Sequence, residues 1–228
     1  GGSSLADGNN IARVTEIIES DPARRFVVVS APGKRYSEDI KVTDLLYACY
    51  KESVEKGSCA ETFQKIRRRF HSIVAELGME SFDIESILNE TEKEIESRRS
   101  ADFTASRGEY LNARIVAARL GWKFVDAKDI IFFNARGQFD EARSYPLIEK
   151  TLSACGHAVI PGFYGTDADG NIKTFSRGGS DISGSIVARA MNADVYENWT
   201  DVSGFLACDP RIVEKPEKIE VISFKELR

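Results

Sequence analysis

Apolar and polar positions change period repeatedly along the chain. Phe26-Val27-Val28-Val29 is a short run of large and β-branched residues that ends in Ser30-Ala31-Pro32-Gly33, the pattern of a buried strand feeding a loop. His157-Ala158-Val159-Ile160 repeats it and stops at Pro161-Gly162. Lys123–Val125 and Asp194–Trp199 read as further extended segments. Asp167–Asn171 reads as a turn that lets Ile172–Phe175 return as a hairpin arm. Helical spacing lies between these runs. It carries Ile11, Val14, Ile17 and Ile18, then Leu45, Leu46, Ala48 and Cys49 behind a cap at Thr43. Arg107–Leu120, Ser144–Cys155 (with Pro146 near its start) and Asp181–Met191 follow. Strands alternating with helices predict an α/β protein with a largely parallel sheet.

One stretch stands apart. From about Ser58 to Arg99 the sequence predicts two long charged helices broken near Gly78, with Ile66, Phe70, Ile73, Val74 and Leu77 as an apolar stripe in the first. The run Arg67-Arg68-Arg69 reads as a solvated flank of that helix, and the pair as an insertion on the sheet core rather than a site.

Composition narrows the class. The chain has 228 residues, 42% hydrophobic and 29% charged, enough to bury a core without disulfides. A net charge of -5 and an isoelectric point near 5.3 argue against a nucleic-acid partner. The apolar runs are too short to span a bilayer, and the first residues show no secretory signal, so no membrane role is expected. Cys49, Cys59, Cys155 and Cys208 are scattered and read as reduced thiols of a cytoplasmic protein. With His71 and His157 the only histidines, no protein metal site is expected. The tail after Pro216 is charged and then apolar at Ile219, Val221 and Ile222, as if cut from something longer.

Three turns carry candidate chemistry. Gly1-Gly2-Ser3-Ser4 opens a helical stretch, where small residues let backbone approach an anion at a helix N-terminus; it reads equally as a flexible terminus. Ser176-Arg177-Gly178-Gly179-Ser180-Asp181 sets a guanidinium, two flexible units, a hydroxyl and a carboxylate within one turn before a helix. Arg grips carboxylates with two parallel N–H bonds, although a simple capped turn has the same composition. Trp199–Gly204 and Asp209-Pro210-Arg211 form a polar loop after an extended run, where open α/β sheets bind ligands or merely turn.

Taken in order, these segments are specific. With Val29-Ser30-Ala31, Val42–Leu46, Gly108-Glu109 and Pro161-Gly162-Phe163 they resemble the amino acid kinase family, and within it the aspartate kinases. The resemblance runs from the first residue to near the last. It implies a three-layer α/β/α catalytic domain over residues 1–228, with regulatory domains beyond the chain and a homo-oligomer in the full-length enzyme. It implies transfer of the γ-phosphoryl group of ATP, with Mg²⁺, to the side-chain carboxylate of L-aspartate, the first step towards lysine, threonine and methionine. Gly1, Gly2 and Ser3 would line the phosphate path. Ser30, Thr43, Glu109, Phe163, Arg177 and Ser180 would surround aspartate, Glu109 taking its ammonium and Arg177 its α-carboxylate. Asp181 would organise the reaction centre, and Thr200, Asp201 and Arg211 would hold ATP. Glu109 is expected on the first turn of its helix.

Two features depart from the family pattern. It places Lys-Phe directly before the glycine pair, where this sequence begins, and often a tyrosine where Leu206 stands. The Gly33–Val42 loop is also long. A carboxylate nucleophile with a reference pKa of about 3.9 is ionised at neutral pH and needs no general base, so the scarcity of histidine is no obstacle. The alternatives are a relative that acts on another carboxylate or a carbamate, and a non-catalytic nucleotide-binding or regulatory module that shares the fold without turnover.

Overall fold

The computed structural model describes residues 1–176, 178–199, 204–208 and 212–223. It divides into two compact units, residues 1–198 and 199–228.

The first unit is built on a parallel sheet of three strands, β1 (Phe26–Val29), β2 (Lys123–Phe124) and β3 (Ala158–Pro161), in the order β1-β3-β2. Phe26 pairs with Ala158 and Val29 with Pro161, so β1 and β3 end together. The period of two sorts their side chains between two cores. Val29 and Val159, with Val27 and Phe124, face a cluster formed by α1 (Gly8–Glu19), α2 (Val42–Lys56), α3 (Ala60–Glu76), α4 (Ile84–Arg98) and α5 (Ala101–Leu120). Ala158 and Ile160, with Phe26 and Val28, face Ile148 and Leu152 of α6 (Glu141–Cys155) and Ile186 and Val187 of α7 (Gly179–Ala190). The result is a three-layer α/β/α arrangement. A hairpin of β4 (Tyr164–Thr166) and β5 (Ile172–Thr174) follows β3, pairing Tyr164 with Thr174 as the Asp167–Asn171 turn predicts. In the second unit β6 (Phe205–Leu206) pairs antiparallel with β7 (Lys218–Ile219).

Several elements differ from the sequence reading. The glycine pair does not open α1. Ser3–Leu5 is a single 3₁₀ turn, and α1 starts at Gly8 behind Asp7, whose carboxylate accepts the Asn10 N–H at 2.8 Å. Thr43 is the second residue of α2 rather than its cap. α5 begins at Ala101, capped by Ser100, which puts Glu109 in the third turn and not the first. Its middle is buried all round, so no apolar stripe announces its start. Asp194–Trp199 forms no strand: Val195 is 73% exposed, and Tyr196 lies over Gly184 of α7 instead of joining a ladder.

The arginine run splits three ways. Arg68 is exposed as expected. Arg67 ties α3 to Glu85 and Glu92 of α4. Arg69 is buried, at 5% exposure, and reaches the loop after β1. Position on the helix decides this, since Arg69 falls on the same face as Ile66, Phe70 and Ile73.

Candidate active site

The site grows from the carboxyl ends of β1 and β3. Because the strands end in register, the segments leaving them start side by side, and the Gly162 N–H donates to Val29 O at 2.9 Å. Open parallel sheets bind ligands at this edge.

On the β1 side, α5 grips the departing chain. Asn112 donates from Nδ2 to Ser30 O at 2.8 Å, and the Ala31 N–H lies close enough to the Glu109 carboxyl to favour its charged form. One turn earlier, Gly108 lets the helix touch the loop. A Cβ there would stand 2.7 Å from Ala31 Cβ and 3.6 Å from Val42 Cγ1, beside Thr43 on the first turn of α2. The glycine pair docks on the same loop: the Gly33 N–H donates to Gly2 O at 2.8 Å, and a Cβ on Gly2 would sit 2.9 Å from Ala31 O. Two backbones pass here at contact distance, which only glycines allow.

On the β3 side, the start of α7 closes over the strand exit. A Cβ on Gly162 would lie 2.7 Å from Ser180 Cα, and one on Gly179 2.5 Å from the Phe163 ring. The Phe163 N–H donates to Ser183 Oγ at 3.0 Å. Phe163 itself has φ 79°, the left-handed region that a side chain rarely adopts. Asp181 is exposed on the first turn of α7, and its main-chain carbonyl accepts from Ser185 Oγ and the Tyr196 hydroxyl. The N-terminus of α7 therefore opens at the same edge as Gly2, with first-turn N–H groups that have no acceptor within the helix and the positive end of the helix dipole.

Glu109 is the electrostatic centre of the β1 side. It is 6% exposed, and its Oε2 is buried without a hydrogen-bond partner among the described residues. Burial pushes its pKa up to about 8, against the pull of the Ala31 N–H. A buried acceptor of this kind is costly unless a cation or donor arrives.

The structure thus brings Gly2, Ser30, Thr43 and Glu109 together on one side and Phe163 and Ser180 on the other. Gly1 and Ser3 flank Gly2 on exposed backbone, and Asp181 follows Ser180. Arg177, Thr200, Asp201 and Arg211 lie outside the described residues. Sequence reasoning missed Asn112 and Gly33. Asn112 had a signal: a polar residue three positions after Glu109, on the same helix face. Arg107, next to Gly108, faces elsewhere. It is stacked on Phe103 and Tyr110, with ring centres 4.4 Å away, beside a cleft of about 500 Å³ between α4, α5 and the hairpin that none of the expected site residues lines. Among the described residues no group of three or more His, Cys, Asp or Glu is placed to hold a metal ion.

The model of the amino acid kinase family matches residues 1–228. The chain belongs to the amino acid kinase family. Among relatives of this kinase-family chain, it is 39% identical to aspartokinase 3 of Bacillus subtilis over all of its own length and 53% of the relative's. It is 27% identical to the lysine-sensitive aspartokinase 3 of Escherichia coli, over 99% of this chain and 53% of that one. Among solved structures, the aspartate kinase of Clostridium acetobutylicum superposes with a TM-score of 0.95 at 51% identity, covering 100% of this chain and 52% of that one. Escherichia coli aspartokinase III in complex with aspartate and ADP superposes at 0.78 with 26% identity, over 96% and 52%. The chain spans about half the length of the curated relatives it matches. No described helix is long and apolar enough to cross a membrane.

Proposed function

We propose that the chain is the catalytic part of an aspartate kinase, which moves the γ-phosphoryl group of ATP to the side-chain carboxylate of L-aspartate and yields β-aspartyl phosphate. The observation that carries this reading is the buried Oε2 of Glu109 at the exit of β1, which has no hydrogen-bond partner among the described residues. A substrate ammonium is the cation that suits it, and an amino acid held there could reach the β3 side with its carboxylates. Arg177, between Ser176 and Gly178, takes the α-carboxylate in this reading. Ser30, Thr43, Phe163 and Ser180 shape the space between.

The side-chain carboxylate is already the nucleophile, so the protein's task is to bring two anions into line and stabilise the charge that moves. Backbone N–H groups of the Gly1–Ser3 turn and of the α7 N-terminus supply fixed positive dipoles for that purpose. Asp181 orients groups at that N-terminus, while Thr200, Asp201 and Arg211 hold the nucleotide. Mg²⁺, bound through the phosphates, would neutralise part of the triphosphate charge. The full-length enzyme is expected to carry regulatory domains and to assemble as a homo-oligomer.

A coupled ADP-release assay across L-aspartate, L-glutamate and N-acetyl-L-glutamate tests the reading. Aspartate should be the preferred acceptor, and Arg177→Lys should raise its KM by at least about 10-fold, because the two-pronged fork is lost while charge is kept. Nucleotide binding without turnover on any of the three would overturn it.

A further inference from the structure

We propose that Arg69 of α3 is a positioning residue for the phosphate-facing glycine turn, acting through the backbone of Gly33. The inference rests on the reading of Gly1–Ser3 as the phosphate path, but its structural half stands apart from that reading. Arg69 leaves the helical pair that the sequence marks as an insertion and enters the loop between β1 and α2. Its Nη1 meets Asp39 Oδ2 at 2.5 Å, and its Nη2 donates to Gly33 O. Gly33 in turn donates its N–H to Gly2 O. A single residue, Gly33, thus separates a buried guanidinium from the glycine pair.

The loop offers Arg69 a prepared seat. Asp39 also accepts from Arg35, at 2.8 Å through Nε and 3.0 Å through the backbone N–H. The guanidinium of Arg35, then that of Arg69, hold the Asp39 carboxyl well below the usual carboxylate range. Both partners are largely withdrawn from solvent, with side-chain exposures of 5% for Arg69 and 9% for Asp39. Losing Asp39 would strand the buried Arg69 guanidinium, whereas losing Arg69 leaves Asp39 paired with Arg35.

A second contact from α3 fixes the other end of the turn. Glu76 accepts the Gly8 N–H at 2.7 Å, at the first residue of α1. A Cβ on Gly8 would fall 2.5 Å from Glu76 Cβ, so helix and turn are in contact. Residues 2–8 are therefore strung between two anchors on one helix, Arg69 through Gly33 and Glu76 through Gly8. A glycine turn has little stiffness of its own. Its N–H groups stabilise a moving phosphoryl group only if held in advance. α3 supplies that hold, and its other face is locked to α4 by Arg67.

The experiment compares Arg69→Met, Arg69→Lys and, as a control for α3 itself, Arg67→Met, which cuts the link to Glu85 and Glu92. Hydrogen exchange is read at residues 1–6 and 31–35, with MgADP affinity and steady-state kinetics alongside. Arg69→Met should speed exchange of the Gly33 N–H by at least about 10-fold by freeing a local opening. It should lower kcat by up to about 10²-fold, as misplacement near 1 Å does, with aspartate KM changed less than MgATP KM. Arg69→Lys keeps the Asp39 pair and should fall between. Arg67→Met should leave exchange at residues 1–6 and 31–35 unchanged even where it lowers Tm as much. Unaltered exchange at Gly33 in Arg69→Met, or an equal effect from Arg67→Met, overturns the proposal. A wild-type protein that fails to phosphorylate aspartate overturns the proposed function and leaves the exchange comparison intact.

Discussion

Gly108 of α5 meets Ala31 of the loop after β1 with no room for a side chain between them: a Cβ on Gly108 would stand 2.7 Å from that of Ala31. Leu46 Cδ1 would be 3.3 Å away on the other flank, so the new methyl has no free direction. Alanine is the better helix former, and in an exposed helix Gly108→Ala would stabilise. Here overpacking should outweigh the gain and destabilise by about 1–3 kcal/mol, a fall in Tm of roughly 2–12 °C for a domain of this size. Thermal unfolding checks it; a raised Tm would show that α5 and the loop yield freely.

Glu109 should tie binding to protons. Its carboxyl is raised by burial from 4.5 to about 8 in the ligand-free protein. A carboxyl raised on folding binds more protons in the native state between those two values. Its contribution to stability is therefore full below about pH 4.5 and fades as pH rises through about 8. Unfolding free energy of the ligand-free protein should thus decline with pH across that window, and Glu109→Gln should remove that slope. An arriving ammonium favours the charged form, so aspartate binding near neutral pH should release close to one proton. Calorimetry in buffers of different ionisation enthalpy measures the count. Zero release in the wild type, or equal release from Glu109→Gln, would exclude this role for Glu109.

Phe163 separates backbone strain from side-chain packing. Its φ of 79° costs a non-glycine residue on the order of 1 kcal/mol, whereas its ring lies against Gly179. Phe163→Ala loses the ring and keeps the strain; Phe163→Gly loses both. The glycine variant should therefore be the more stable of the two by about 1 kcal/mol. Chemical denaturation of the pair decides it, and an alanine variant at least as stable as the glycine variant would show that the strain is absent.

The parts of the fold legible in the sequence were those whose burial is one-sided or complete over a short run. β1 and β3 carry continuous apolar residues bounded by Pro and Gly, and α3 carries a clean stripe, so both periods announce themselves. α5 was cut short because residues 103–109 are buried on every side, which erases the stripe and displaced Glu109 to a helix start. Asp194–Trp199 has strand-like composition, but Tyr196 is used to cover Gly184 on α7. In the site, glycine and serine turns were visible because their residue types are unusual. Asn112 shows only as a polar residue on the face of Glu109, and its partner, like that of Arg69, is a backbone carbonyl far away in sequence; the Arg69–Asp39 ion pair looks like any charged flank until the chain is folded.

The strand order has a consequence for the time at which this protein becomes a protein. Among the described strands of the sheet, β1 and β2 have no neighbour but β3, which occupies the middle. Residues 26–29 therefore wait for a partner more than a hundred positions downstream. Throughout that interval on the ribosome the helices of the first core can gather, but the surface they should cover does not yet exist. Pairings that span so much chain form slowly and leave apolar edges open meanwhile. The edge on which the candidate site sits comes into being only when Ala158–Pro161 slots between its two neighbours, so the last strand placed is also the one that brings the two halves of the site side by side.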